Sequence, residues 1–78
     1  MKIVFSDHAK IKIGQRKILI SYISETLSRP DITRQGIKGR DEFYKKFIKL
    51  HLKVVAKKVK GGFIVITVHW VAKVPAKE

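Results

Sequence analysis

The chain has no cysteine, so neither a disulfide framework nor a thiolate metal site is open to it. Acidic residues are scarce as well: six Asp and Glu stand against eighteen Lys and Arg, a formal net charge of +12 at pH 7. Long apolar runs are missing. The longest, Phe63 to Val68, already contains Thr67, whereas a membrane-spanning helix needs about 20 apolar residues. The N-terminal Met1-Lys2-Ile3-Val4-Phe5 meets Ser6-Asp7-His8 before a signal-peptide core can form, so a cytoplasmic location is expected. Two prolines and five glycines are too few for a low-complexity linker, and 45% hydrophobic residues are too many for a disordered basic tail. In 78 residues there is room for one core. We expect a single domain over residues 1–72, with 73–78, broken by Pro75, as a flexible tail. A core of this size supplies only about 3–5 kcal/mol, which makes a partner or a homodimer a natural source of further stability.

Several chemistries lack their residues. His8, His51 and His69 are scattered, with no cysteine and no HxxxH pair beside them, so no metal site is expected. The carboxylates fall in capping, helix-surface or turn contexts rather than as a catalytic pair. Gly36-Ile37-Lys38-Gly39 is too short to cradle a phosphate and has no helix pattern after it. No cofactor is expected.

What is present is positive charge, unevenly spread. Between Arg34 and Lys60 lie ten basic residues against Asp41 and Glu42. Such a surface attracts polyanions, nucleic acid first among them, with an acidic protein as the other candidate.

The hydrophobic pattern predicts an α+β domain. Ile3 to Phe5 reads as a short strand or extended entry, and Ser6 or Asp7 suits an N-cap. A first helix is expected from about His8 to Ile13, ended by Gly14, and a second from about Leu19 to Arg29, stopped by Pro30. The period then changes to two. Leu50, Leu52, Val54 and Ala56 alternate with His51, Lys53, Val55 and Lys57, an inward aliphatic row against an outward basic one. Gly61-Gly62 signals a hairpin into Phe63 to Trp70, whose apolar run favours a central strand, while Ile32 to Gly39 forms either an edge strand or a loop. The expected architecture is two N-terminal helices packed on a three- to four-stranded antiparallel sheet.

On this layout His8, Arg16, Tyr44, Lys46, Lys53 and His69 are bases and hydroxyls near one sheet. RNA cleavage by its own 2′-hydroxyl requires a proton acceptor, a proton donor and cations for the crowded phosphate, with neither a metal nor a covalent intermediate. These residue types suffice for it. A core role for Tyr44 and Trp70, and a solvated role for Lys46, are the competing readings.

The segment Phe5-Ser6-Asp7-His8-Ala9, with Arg16 eight residues after the histidine, then Ile18 and Pro30, resembles the N-terminal pattern of a small prokaryotic family of domains of unknown function (DUF4258-like). Gly39-Arg40, Phe43-Tyr44-Lys45-Lys46, Leu52-Lys53-Val54-Val55 and Phe63 to Trp70 resemble its strand signature. That family is similar to the RelE, ParE and BrnT toxins of toxin-antitoxin systems. The resemblance, over about residues 3 to 70, implies a RelE/ParE-like fold, cleavage of free or ribosome-bound messenger RNA, and restraint by an acidic antitoxin. Two positions depart from it: Lys17 stands where the family usually has glycine, and Leu19 where it often has a capping Ser or Asp.

Two functions are therefore expected. The first is a toxin acting as a metal-independent endoribonuclease, with His8, Arg16, Lys46 and Lys53 catalytic and Arg40, Tyr44, Lys45, Lys57 and His69 holding the RNA. The second is a non-enzymatic chain of the same shape, either a ParE-like binder of a topoisomerase or a basic nucleic-acid-binding module.

Overall fold

The computed structural model describes residues 2–75. Along the chain run β1 (Lys2–Phe5), α1 (Asp7–Arg16), α2 (Ile20–Ser28), β2 (Ile32–Gln35), β3 (Arg40–Phe47), β4 (Leu50–Val59) and β5 (Gly62–Val71). The strands form a single sheet in the order β1-β5-β4-β3-β2. The class is α+β with two helices on a sheet, as the pattern implied. The sheet is larger than expected and mixed: it has five strands, and β1 runs parallel to β5 while all other pairs are antiparallel. The N-terminal segment adds one edge, Lys2–Phe5 beside Gly62–Val65, and Ile32–Gln35 adds the other beside β3. The pattern left the first open between a strand and an extended entry and the second between an edge strand and a loop; both are strands.

Both helices cover one face. Ala9 of α1, and Ile23, Thr26 and Leu27 of α2, are buried against Leu52, Val54 and Val68 of the central strands. The Thr26 hydroxyl, buried among them, donates to the Tyr22 carbonyl at 2.7 Å and so carries no unmet hydrogen bond into the core. The inward row expected for β4 is observed, with Leu52, Val54 and Ala56 inaccessible to solvent. No helix among the described residues is long and apolar enough to cross a membrane.

Of three local expectations, two are corrected and one holds. First, α1 does not end at Gly14 but continues to Arg16, and Lys17 takes the left-handed cap (φ 51, ψ 47). The chain must turn inward there to bury Ile18, so the left-handed residue falls at 17, and Gly14 lies exposed inside the helix. Lysine at that position gives up the steric freedom glycine would have. Second, α2 spans Ile20–Ser28, within a residue of the expected Leu19 to Arg29 at each end, and Leu19 caps it without a side-chain hydrogen bond. Third, the two-residue turn of the last hairpin is Lys60-Gly61, with Gly61 at φ 82 and Val59 paired to Gly62. Gly62 belongs to β5 for a different reason: a Cβ there would collide with the carbonyl of Lys2, so its absence lets β1 pass. Lys73 to Pro75 carry no regular structure, and the rest of the expected tail, 76–78, lies outside the described residues.

One irregularity places the functional face. The β4–β5 register shifts so that Val55 pairs Thr67 and Ala56 pairs Val65, leaving Ile66 as an extra residue. This bulge resets the alternation of β5. Without it Val65, Thr67 and His69 would share a face; with it Val65 and Val68 point into the core, and Thr67 and His69 point away from the helices. Ser6 holds the bulge. Its amide donates to the Val65 carbonyl at 2.9 Å, its hydroxyl donates to the Ile66 carbonyl at 2.8 Å, and the same oxygen accepts from the Ala9 amide at 3.1 Å as the α1 cap.

Candidate nucleic-acid interface

The face of the sheet away from the helix pair carries a cross-strand row: Ile32, Tyr44, Lys53 and His69 lie opposite one another on β2, β3, β4 and β5. Tyr44 is buried even on this side, with 4% of its surface exposed. Its hydroxyl donates to Glu42 Oε1 at 2.8 Å, and Lys53 Nζ stands 5.9 Å from the ring centroid. Burial, and then the carboxylate it donates to, push the phenol up to about 12. At neutral pH Tyr44 therefore keeps its proton and serves as the bed on which Lys53 lies.

His69 is the junction of this row with α1. The helix packs along β5, and His8, Lys12 and Arg16 recur every fourth residue on it, one stripe of its surface. The His69 imidazole is held below its ordinary value by burial first, and then by the positive charges of Lys12, Lys53, His8 and Arg16. Its Nε2 is 3.2 Å from Thr67 Oγ1. The same shift leaves the imidazole in its neutral form at physiological pH, with a lone pair free to accept a proton, and the cations nearby suit an anion.

Of the residues singled out from the sequence, His8, Arg16, Lys53, Tyr44 and His69 converge here. Lys46 is on the same face one row away, opposite His51; Arg40 and Lys57 face each other at its far end. Lys45 is not on this face. It lies opposite Leu52 on the helix-covered side, donates to the Arg29 carbonyl at 3.0 Å and pairs with Asp31 at 3.9 Å, tying β3 to the end of α2. Lys45, expected to hold RNA, therefore stands apart from the residues that converge around His69. Lys12 was missed, although its spacing from His8 and Arg16 was there to be read. Among the described residues no three His, Asp or Glu side chains gather as a metal-ligand set. Compared with known proteins, the chain matches no family model, no curated protein and no solved structure.

Proposed function

We propose that this chain is an endoribonuclease that works without a metal, a toxin of the RelE, ParE and BrnT kind. The observation that carries the reading is the His69 imidazole, opposite Lys53 on the open face and near enough to Lys12, His8 and Arg16 of α1, which packs along β5, to feel their charge. His69 takes the proton of a ribose 2′-hydroxyl as its oxygen attacks the adjacent phosphorus. Lys12, Arg16 and Lys53 stabilise the charge that builds on the phosphoryl oxygens, and His8 protonates the departing 5′-oxygen. The products are a 2′,3′-cyclic phosphate and a 5′-hydroxyl. This differs from the sequence-based expectation in giving His69 the base role and in moving Lys46 outward to backbone contact.

The test is cleavage of single-stranded RNA by the purified chain in EDTA, with the product ends identified. His69→Gln and His8→Gln should each slow cutting by about 10²–10⁴-fold. Lys60→Ala, in the β4–β5 turn, should cut like the wild type. Equal rates in all three variants would refute the assignment. A second reading, a nucleic-acid-binding module without catalysis, draws on Arg40 and Lys57, which face each other beyond the cleavage centre and suit a phosphate backbone alone. Salt-sensitive RNA retention with no product would select it.

A further inference from the structure

The end of the sheet where β3 turns into β4 differs on its two sides. On the open face, the row next to Lys53 and His69 sets Lys46 opposite His51, and His51 opposite Val71. Phe47 and Leu50 then close the ladder, and Ile48 and Lys49 make the turn. Lys53, Lys46 and Lys49 thus step from the cleavage centre to the tip, with about 10 Å of strand between Lys53 and Leu50. Lys46 and Lys49 are exposed and form no ion pair among the described residues. Past the tip, on the helix-covered side, a shallow groove is lined by Phe47, Ile48, Lys49, Leu50 and Trp70. Its floor is rigid. Phe47 stacks on Tyr22 of α2 at 4.3 Å between centroids, and Trp70 meets Phe47 and Tyr22 edge-on at 6.2 and 6.1 Å. Its lip is Ile48, 88% exposed and at φ 60, a backbone conformation that a β-branched residue resists.

We propose that this groove receives an unpaired nucleobase of the RNA strand that lies on the open face. The inference rests on reading that face as the path of the RNA, and it adds a base-binding subsite outside the cleavage centre. The strand passes Lys53, then Lys46 and His51, rounds the end of the sheet at Lys49, and turns one base in against Trp70 and Phe47. Cations that follow the phosphates and rings that take bases are the two parts of a site for single-stranded nucleic acid. The open face supplies only the first part: its aromatic residue, Tyr44, is buried beside Lys53 and offers no stacking surface. The rings at the turn supply the second. A second copy of the chain is a poor occupant, because at +12 the two would repel, whereas a polyanion is drawn in.

The chain has one tryptophan, so Trp70 emission reports the groove. The probe is a single-stranded RNA of about eight nucleotides, 2′-O-methylated so that it cannot be cut, and a series with one abasic nucleotide at each position in turn. Affinity is read from the anisotropy of a dye on the RNA. The intact probe should bind saturably and quench Trp70. One abasic position should weaken binding about tenfold and abolish the quench, the size of a single stacking contact. Trp70→Leu, which keeps an apolar side chain against Phe47 and Tyr22, should bind the intact probe no better than that abasic one. Ile48→Gly guards against a Trp70 variant that does not fold: glycine relaxes the turn, so the chain should melt no lower, while loss of the lip should narrow the gap between intact and abasic probes. An equal affinity at every abasic position, or a gap that Ile48→Gly leaves unchanged, would overturn the proposal. So would a Trp70 shift that follows protein concentration without RNA, or one given by phosphatidylglycerol vesicles and not by the probe. His69→Gln should lose cutting of unmodified RNA and keep the quench. A wild-type chain that quenches but never cuts would therefore refute the cleavage assignment and leave the groove, and one that cuts without quenching would do the opposite.

Discussion

Removing the Ser6 hydroxyl tests whether the bulge and the α1 cap are one device. In Ser6→Ala the Ala9 amide loses its acceptor and the Ile66 carbonyl loses its donor. Loss of an N-cap costs about 1 kcal/mol, and an unmet, partly buried carbonyl about another 1 kcal/mol. The total of about 2 kcal/mol is a large share of what a domain this small can hold. At about 4–8 °C per kcal/mol for a domain of 60–100 residues, the melting temperature should fall by about 8–16 °C in a thermal scan followed by circular dichroism. Ser28→Ala is the control. Its hydroxyl also donates to a carbonyl, that of Ser24 at 2.9 Å, but it is exposed and spans one helical turn, so its loss should cost less than about 0.5 kcal/mol. Ser6→Thr keeps the hydroxyl and should lose less than half as much as Ser6→Ala. If Ser6→Ala melts with Ser28→Ala, the account of how His69 is placed on the open face is wrong.

Two further outcomes follow from the same geometry. Lys17→Gly should raise the melting temperature by a few degrees, because the left-handed cap costs a lysine about 1 kcal/mol that glycine avoids, partly offset by the freer unfolded chain; an unchanged or lower value would refute the strain at Lys17. Acidification should cost stability through His69. Its folded value is depressed, so the unfolded chain binds the proton first, and the contribution present above about pH 6.5 is lost as pH falls through the lower folded value. Denaturant titrations between neutral pH and about pH 5 should show a slope that His69→Gln reduces, and an identical slope in the variant would remove the claim.

Much of the layout was readable in the chain because its signals are local. The alternation from Leu50 to Lys57 fixed which β4 residues face inward, since a strand side chain changes face at every residue. Pro30 ended the second helix, and Ser6 announced the first. Other signals misled. Gly14 looked like a helix stop, but the stop is set by where Ile18 enters the core. Gly61-Gly62 looked like one turn, but the second glycine is needed for the passage of β1, a segment some sixty residues away. Lys45 read as one more basic residue of the stretch, because nothing in its neighbours reveals that its strand position faces the helices and meets Asp31. Ile48 carried no signal either: a strained turn residue is visible only once Phe47 is paired with Leu50.

By itself the amino-acid sequence determined one small α+β unit, strongly basic in its second half, with the cations of β4 on an outward row. Period and composition are properties of neighbouring residues and need no partner to be expressed. Only the tertiary structure decided that the sheet has five strands, that Ile66 is the extra residue which turns His69 outward, and that α1 brings His8, Lys12 and Arg16 beside it. Register between distant strands and the seating of a helix on a sheet edge depend on the packing of the whole core, where no local repeat records them.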